Sequence, residues 1–534
     1  MRRANWLFGG AVMLTGLIGV IGVSQVGVAQ QGPQKGGTFT VALPGDIISL
    51  DPAFDYDFNT SPVVQQLVEG LQRFDANNKV VPNIAESVSN PNPLTYIYKI
   101  RKDVTFWDGS PVTIDDVLFS MERIKDPKTA SYVGWMYQSV KSITKMDSRT
   151  VKVTLSKPDA LWQYVGATTG ASVIKKSYAL SKGKTFGKPD GGVMATGPFK
   201  FTSWTPGQEI VIERNDKYWN AKAGGPYLDK IVYKVIPEPT TQIAGLKTGE
   251  INLLIGVPLN LLPVVRGNSN VNLILEPSFL MDFIAFNAGR KPFSDPKVRQ
   301  ALAYAFDKKK LFDAIVKDAG DFAKNTPVNP ALWIQEKAAW TAAYKALPEA
   351  AYNLEKAKSL LAASSAKGGF TATITTDSNP IRLNGAIALQ AAAKAIGVTL
   401  NVKKVTGEEL NTLSFGKARD YDIIMQMWGS DFPDPSGNLR PVFASANRGD
   451  GGSNFANYSN PKLDALLEQQ NQSTNPAARA KLMIQAQAII AEEVPWIVVN
   501  YQKNIAAISK NYAGFKLNPL WYWDAFAKDI YMTK

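Results

Sequence analysis

Residues 94–124 read LTYIYKIRKDVTFWDGSPVTIDDVLFSMERI. The aromatic and β-branched alternation at the start predicts a strand, and Asp108-Gly109 predicts a turn. A helix follows, capped by Thr113 with Asp115 and Asp116 in its first turn, where acidic side chains complement the exposed backbone N–H groups. That position makes Asp115-Asp116 capping chemistry rather than a catalytic couple.

The same change of period recurs outward from this unit. Thr38 to Ala42 alternates as a strand, and SLDPAFDYDFNTSP then leads into a helix whose apolar face includes Val64, Leu67, Val68 and Leu71. Further strands are expected at 151–155, 209–213, 231–236, 283–287, 371–375, 399–402 and 421–428. Amphipathic helices are expected at 240–250, 295–316, 353–364, 383–397 and 460–472. Alternating strands and helices imply an α/β class rather than a β sandwich or a helical bundle. At 534 residues the chain exceeds what one core holds, so two or more domains are expected. A hydrophobic share of 45% and a charged share of 20% are those of a folded, soluble chain.

The first thirty residues stand apart. Arg2 and Arg3, an apolar run from Trp6 to Ile21 and the small-residue site Gly27-Val28-Ala29 follow the order of a signal peptide cleaved after Ala29. Glycines interrupt the run, which argues against a membrane anchor. The protein has no cysteine, so no lipid-modified Cys follows the cleavage site and no disulfide braces the fold. The expectation is a freely soluble periplasmic protein. Net charge is +13, or +11 once Arg2 and Arg3 are removed, enough to steer partners but silent on fold. The longest basic cluster, Asp307-Lys308-Lys309-Lys310-Leu311, reads as a solvated helix face rather than a nucleic-acid contact.

Histidine is also absent. Together with the missing cysteine, this removes His-dependent triads, Cys-His nucleophiles, thiolate zinc sites and His-ligated haem. A carboxylate glycosidase would need two carboxyls about 5–9.5 Å apart across a cleft. Glu408-Glu409 and Glu492-Glu493 are sequence neighbours in helix-like stretches, where adjacent side chains diverge. No enzyme, cofactor or metal is expected.

Residues 423–443, IIMQMWGSDFPDPSGNLRPVF, end a strand-like run in Trp428 and Asp431, followed by the rigid turn Pro433-Asp434-Pro435. Residues 83–117, together with ATGPFKFTSW (195–204), VIERNDKYW (211–219), GLKTGEIN (245–252), residues 283–311, EKAKSLLAAS (355–364), WGSDFPDPSG (428–437) and NYSNPKLDALL (457–467), stand in a telling order. The ordered set resembles the extracellular solute-binding proteins of family 5, the peptide and nickel-type receptors of ABC importers, over nearly all of the chain after the leader. Within the motifs, Gly197-Pro198 reads as a turn, while Arg299 and Asp307 read as surface charges supporting a helix.

The resemblance implies a bilobal periplasmic-binding-protein fold of the large type. One lobe combines residues 30–74, 186–280 and 510–534 and carries an extra subdomain at 75–185; the other lobe is 281–509. Two crossings make a hinge that closes on a ligand. In peptide-binding relatives the aspartate at the position of Asp431 pairs with the peptide's amino group, a charge-assisted bond, and Trp428 is placed to pack on the ligand. Tyr56, Phe58, Tyr132 and Trp135 lie in loops expected to face the cleft. The arginine some relatives carry three residues before the tryptophan is Met425 here, and the loop TTDSNPIRLN (375–384) offers only Arg382 for a peptide carboxylate. The implied function is capture of a small oligo- or dipeptide by a monomer and delivery to a membrane permease, with an oligosaccharide as the alternative ligand. Nickel is disfavoured by the missing histidine.

Overall fold

The computed structural model describes residues 33–348 and 351–533; the expected leader, 1–29, lies outside them. Residues 94–125 fold as a strand, Thr95–Ile100, and a helix, Ile114–Lys125. Gly109 turns the chain with φ +84°, which a Cβ disfavours. Thr113 and Asp116 form a reciprocal cap: the Thr113 hydroxyl accepts from the Asp116 N–H at 3.3 Å, and the Asp116 carboxylate accepts from the Thr113 N–H at 3.0 Å. The strand is the second of a four-stranded antiparallel sheet formed by Ala85–Asn92, Thr95–Ile100, Thr150–Leu155 and Val140–Lys145. Ile114, Val117, Met121 and Ile124 bury one helix face in the same core as Tyr98, Val151 and Val153 of that sheet.

A separate eleven-stranded mixed sheet organises most of the remaining chain. Two long antiparallel strands, Val271–Phe286 and Trp496–Ser509, join its halves. Beyond them on one side lie Leu253–Ile255, Thr38–Leu43, Lys230–Val235, Glu209–Arg214 and Phe199–Thr205. On the other lie Ile423–Gly429, Thr371–Thr376 and Thr399–Lys404, and the eleventh strand, Gly320–Phe322, pairs with Trp496–Ser509 off this order. Val271–Pro277 pairs with Ser509–Lys503, the register breaks between Pro277 and Met281, and pairing resumes from Met281–Tyr501 to Ala285–Trp496. Each half has its own apolar clusters, around Phe39, Val64 and Ile231 in one and around Phe286, Leu302, Ile374 and Leu389 in the other.

Several elements differ from the sequence reading. The helix after SLDP is short, Ser61–Leu67, leaving Val68 and Leu71 beyond its end. The helix expected over 295–316 breaks after Pro296–Ala305, because Asp307 accepts the Lys310 N–H at 3.0 Å and caps a new turn, Lys308–Leu311. Lys308 is buried and donates to the carbonyls of Ala323 and Val498, and burial pulls its pKa down to about 7. Only Lys309 and Lys310 of that run are exposed. Arg299 is 2% exposed and not a surface charge: it donates to the Phe293 and Glu493 carbonyls, each at 2.7 Å.

Candidate ligand-binding site

A cavity of about 440 Å³ lies where the loop at Tyr56–Ser61, the end of the strand Ile423–Gly429, the helix Gly407–Phe415 and the C-terminal segment at Tyr522–Trp523 converge. Five of the seven residues singled out from sequence line it: Tyr56, Phe58, Arg382, Trp428 and Asp431. The other two, both exposed, are not among the lining residues. The Trp135 ring packs 6.4 Å from that of Tyr56 and 5.9 Å from that of Phe432, and the Tyr132 ring lies 5.4 Å from Phe54.

The turn that carries Asp431 is fixed from several directions. Asp434 forms a buried two-pronged pair with Arg479, at 2.7 and 2.9 Å, and accepts the Ser436 N–H at 2.9 Å. Burial alone would raise the Asp434 pKa, but the Arg479 guanidinium outweighs it and holds the carboxyl below its usual range. The Ser430 hydroxyl donates to the Phe432 carbonyl at 2.7 Å. A Cβ at Gly437 would sit 1.8 Å from that hydroxyl, so only glycine permits this close approach. The proline-rich turn therefore holds a carboxylate at a strand end.

Three aromatic side chains from distant segments hold the same turn. The Tyr56 hydroxyl donates to the Asp431 carboxylate at 2.8 Å, the Trp523 indole to the Asp431 carbonyl at 3.0 Å and the Tyr522 hydroxyl to the Ser430 carbonyl at 3.2 Å. Burial raises the Asp431 pKa, opposed by the Tyr56 hydrogen bond, to about 6. Trp428 has two jobs: its indole donates to the Gly437 carbonyl at 3.0 Å and packs on Phe455, while its ring also faces the cavity.

Arg382 differs from a free anion receptor. It is 8% exposed, its Nε donates to Asp377 at 2.9 Å and its Nη1 to Asp282 at 3.3 Å. Asp377, Asp57, Tyr522 and Trp523 are lining residues that the sequence reading did not single out. The aromatic triplet Trp521-Tyr522-Trp523 is a sequence signal that would have pointed to two of them. Among the described residues, no group of three metal-ligating side chains is placed to hold an ion.

The family model described as bacterial extracellular solute-binding proteins, family 5, matches residues 79–450. The chain belongs to that family. It is 31% identical to heme-binding protein A of Haemophilus influenzae over 497 residues, covering 88% of this chain and 87% of the relative. It is 28% identical over 484 residues to the glutathione-binding protein GsiB of Escherichia coli, covering 90% and 92%. In three dimensions it is similar to the periplasmic binding protein DppA of Helicobacter pylori in complex with the peptide STSA, with a TM-score of 0.79 at 26% identity, covering 94% of this chain and 99% of that one. This family 5 solute-binding protein thus has the bilobal periplasmic-binding-protein fold. No helix among its described residues is long and apolar enough to cross a membrane.

Proposed function

We propose that this solute-binding protein captures small peptides by their free amino end on Asp431 and delivers them to an ABC permease. The observation that carries the reading is the half-buried Asp431 carboxylate, which accepts the Tyr56 hydroxyl and is fixed on a braced turn beside a cavity of about 440 Å³. In such a setting a charge-assisted bond to an ammonium is strong. A similar protein holding a four-residue peptide supports it. Aromatic walls also suit a sugar, the alternative ligand.

Closure is assigned to the register break at Pro277–Met281, where the ladder between the two long strands is interrupted. Ile505–Ser509 pairs with Leu275–Val271, and Ala506–Ile508 with Ile255–Leu253, so the boundary on the second strand belongs near Gln502–Lys503 rather than at residue 509. The first lobe's last segment then runs from about 503 to 534, and the remaining boundaries follow the expected division into 30–74 and 186–280, the subdomain 75–185, and the lobe that begins at 281. Export by the leader, a periplasmic location and a monomeric state complete the proposal.

The test is a thermal-shift screen of refolded, ligand-stripped protein against pooled di- to pentapeptides and pooled oligosaccharides. A ligand at 100 times its dissociation constant adds about 2.7 kcal/mol to stability. A shift with peptides is expected; a shift with sugars alone would move the contact from Asp431 to the aromatic walls.

Affinity also follows pH in a stated direction. The proton competes with the ligand ammonium for Asp431, so affinity falls about tenfold per unit below pH 6. It falls again above about pH 8, as the peptide amino group loses its charge. The Tyr56 hydrogen bond favours the ionised carboxyl, so Tyr56→Phe moves the acidic midpoint upward. Calorimetric titrations from pH 5 to 9 read both effects.

A further inference from the structure

A second cavity of about 440 Å³ adjoins the first, since Phe58 and Leu280 line both. It lies between the strand ends at Leu43 and Ile255, the start of the helix Pro380–Lys394 and residues 502–505 of the strand Trp496–Ser509. The two cavities differ in charge. In the first, the one basic group, Arg382, is held in ion pairs by Asp377 and by the fully buried Asp282. The second has no carboxylate among its lining residues and one charged group, Lys503.

Lys503 is within reach of a ligand. Its side chain is 23% exposed, and its ion pair among the described residues is a 3.4 Å contact with Asp321, a side chain itself 55% exposed. A solvated pair of this kind contributes little, and an ammonium with three protons has donors to spare. Asn59 and Asn379 bring side-chain amides to the same cavity. An anionic group is therefore repelled from the Asp431 cavity and received in this one, where exclusion of water by the bound ligand strengthens the attraction.

Strand register sets the separation of the two ends. Trp428 and Tyr501 both pair with Met281, one on each side, so their strands lie two spacings apart, about 10 Å. Both strands run the same way past Met281, Trp428 toward Asp431 and Tyr501 toward Lys503. An extended chain covers about 10 Å in roughly three residues.

We propose that a bound peptide spans both cavities, its amino group on Asp431 and its terminal carboxylate on Lys503, so that the protein takes peptides of three or more residues with a free carboxyl end. The amino half of this statement rests on the reading of Asp431 given above; the Lys503 contact is independent of it.

Calorimetry at pH 7 with Ala-Ala, Ala-Ala-Ala, the carboxyl amide of Ala-Ala-Ala and its amino-acetylated form decides it. The amide is expected to bind wild type roughly tenfold more weakly than the free acid, the effect of one charged hydrogen bond, and Ala-Ala more weakly again. In Lys503→Met the free acid falls to the affinity of the amide, and the amide itself is unchanged; a melting curve checks that the variant is folded. Equal binding of acid and amide to wild type would overturn the Lys503 contact, and so would an amidation penalty that persists in Lys503→Met; in either case a penalty for acetylation keeps the amino anchor standing. Sensitivity to amidation and to Lys503→Met, with none to acetylation, would keep the Lys503 contact and remove the amino anchor. Ala-Ala binding as tightly as Ala-Ala-Ala would overturn the span, and binding by none of the four would overturn both contacts.

Discussion

Arg479→Met is expected to destabilise the protein by about 3–5 kcal/mol, the cost of leaving a buried carboxylate without its partner. Asp434 and Arg479 are almost wholly buried and bonded at two points, and no other cation pairs with Asp434 among the described residues. The effect has a pH signature. Because the folded-state pKa of Asp434 is depressed, its stabilising contribution is present above the unfolded carboxyl value, about 3.9, and is lost as pH falls through the lower folded value. Urea melts should therefore show wild type and Arg479→Met far apart at pH 7 and converging below about pH 4. Equal stability at pH 7 would mean that the turn holds without the pair.

Asp431→Asn is expected to weaken peptide binding roughly 10- to 100-fold, since an amide replaces the charged partner of the ammonium. The fold should be little affected, because the asparagine oxygen still accepts from Tyr56 and the main-chain bond to Trp523 does not depend on the side chain. The acidic limb of the pH profile should disappear with the carboxyl that produces it. A variant that bound weakly but kept that limb would assign the titration to another group, and Asp55, whose pKa burial raises to about 7 and whose partner Ser61 lines the cavity, is the one to examine.

Much of this was legible in sequence because it depends on local rules. The cap at Thr113, the glycine turn at Gly109 and the strand ending at Trp428 are all written within a few residues of themselves, and the proline-rich turn after Asp431 marks a fixed strand end. What stayed hidden depends on partners far along the chain. Arg382 reads as a free basic group until strand pairing brings in Asp282, a hundred residues earlier. Lys308 and Arg299 look like helix-surface charges until backbone carbonyls from the distant segments around Val498 and Glu493 close over them. Tyr522 and Trp523 join the site from near the chain's end, about 90 residues after the turn they hold. The helix Pro476–Glu493, which supplies Arg479, was legible only as a helix-like stretch at Glu492-Glu493, because its alanine-rich pattern shows little contrast between faces.

Calorimetry of one tripeptide that binds, compared with the same tripeptide acetylated at its amino end, tests the central claim most directly. If Asp431 anchors the ammonium, acetylation costs wild type roughly 10- to 100-fold in affinity and costs Asp431→Asn little more. Equal affinity of wild type for the free and acetylated peptides would contradict the account.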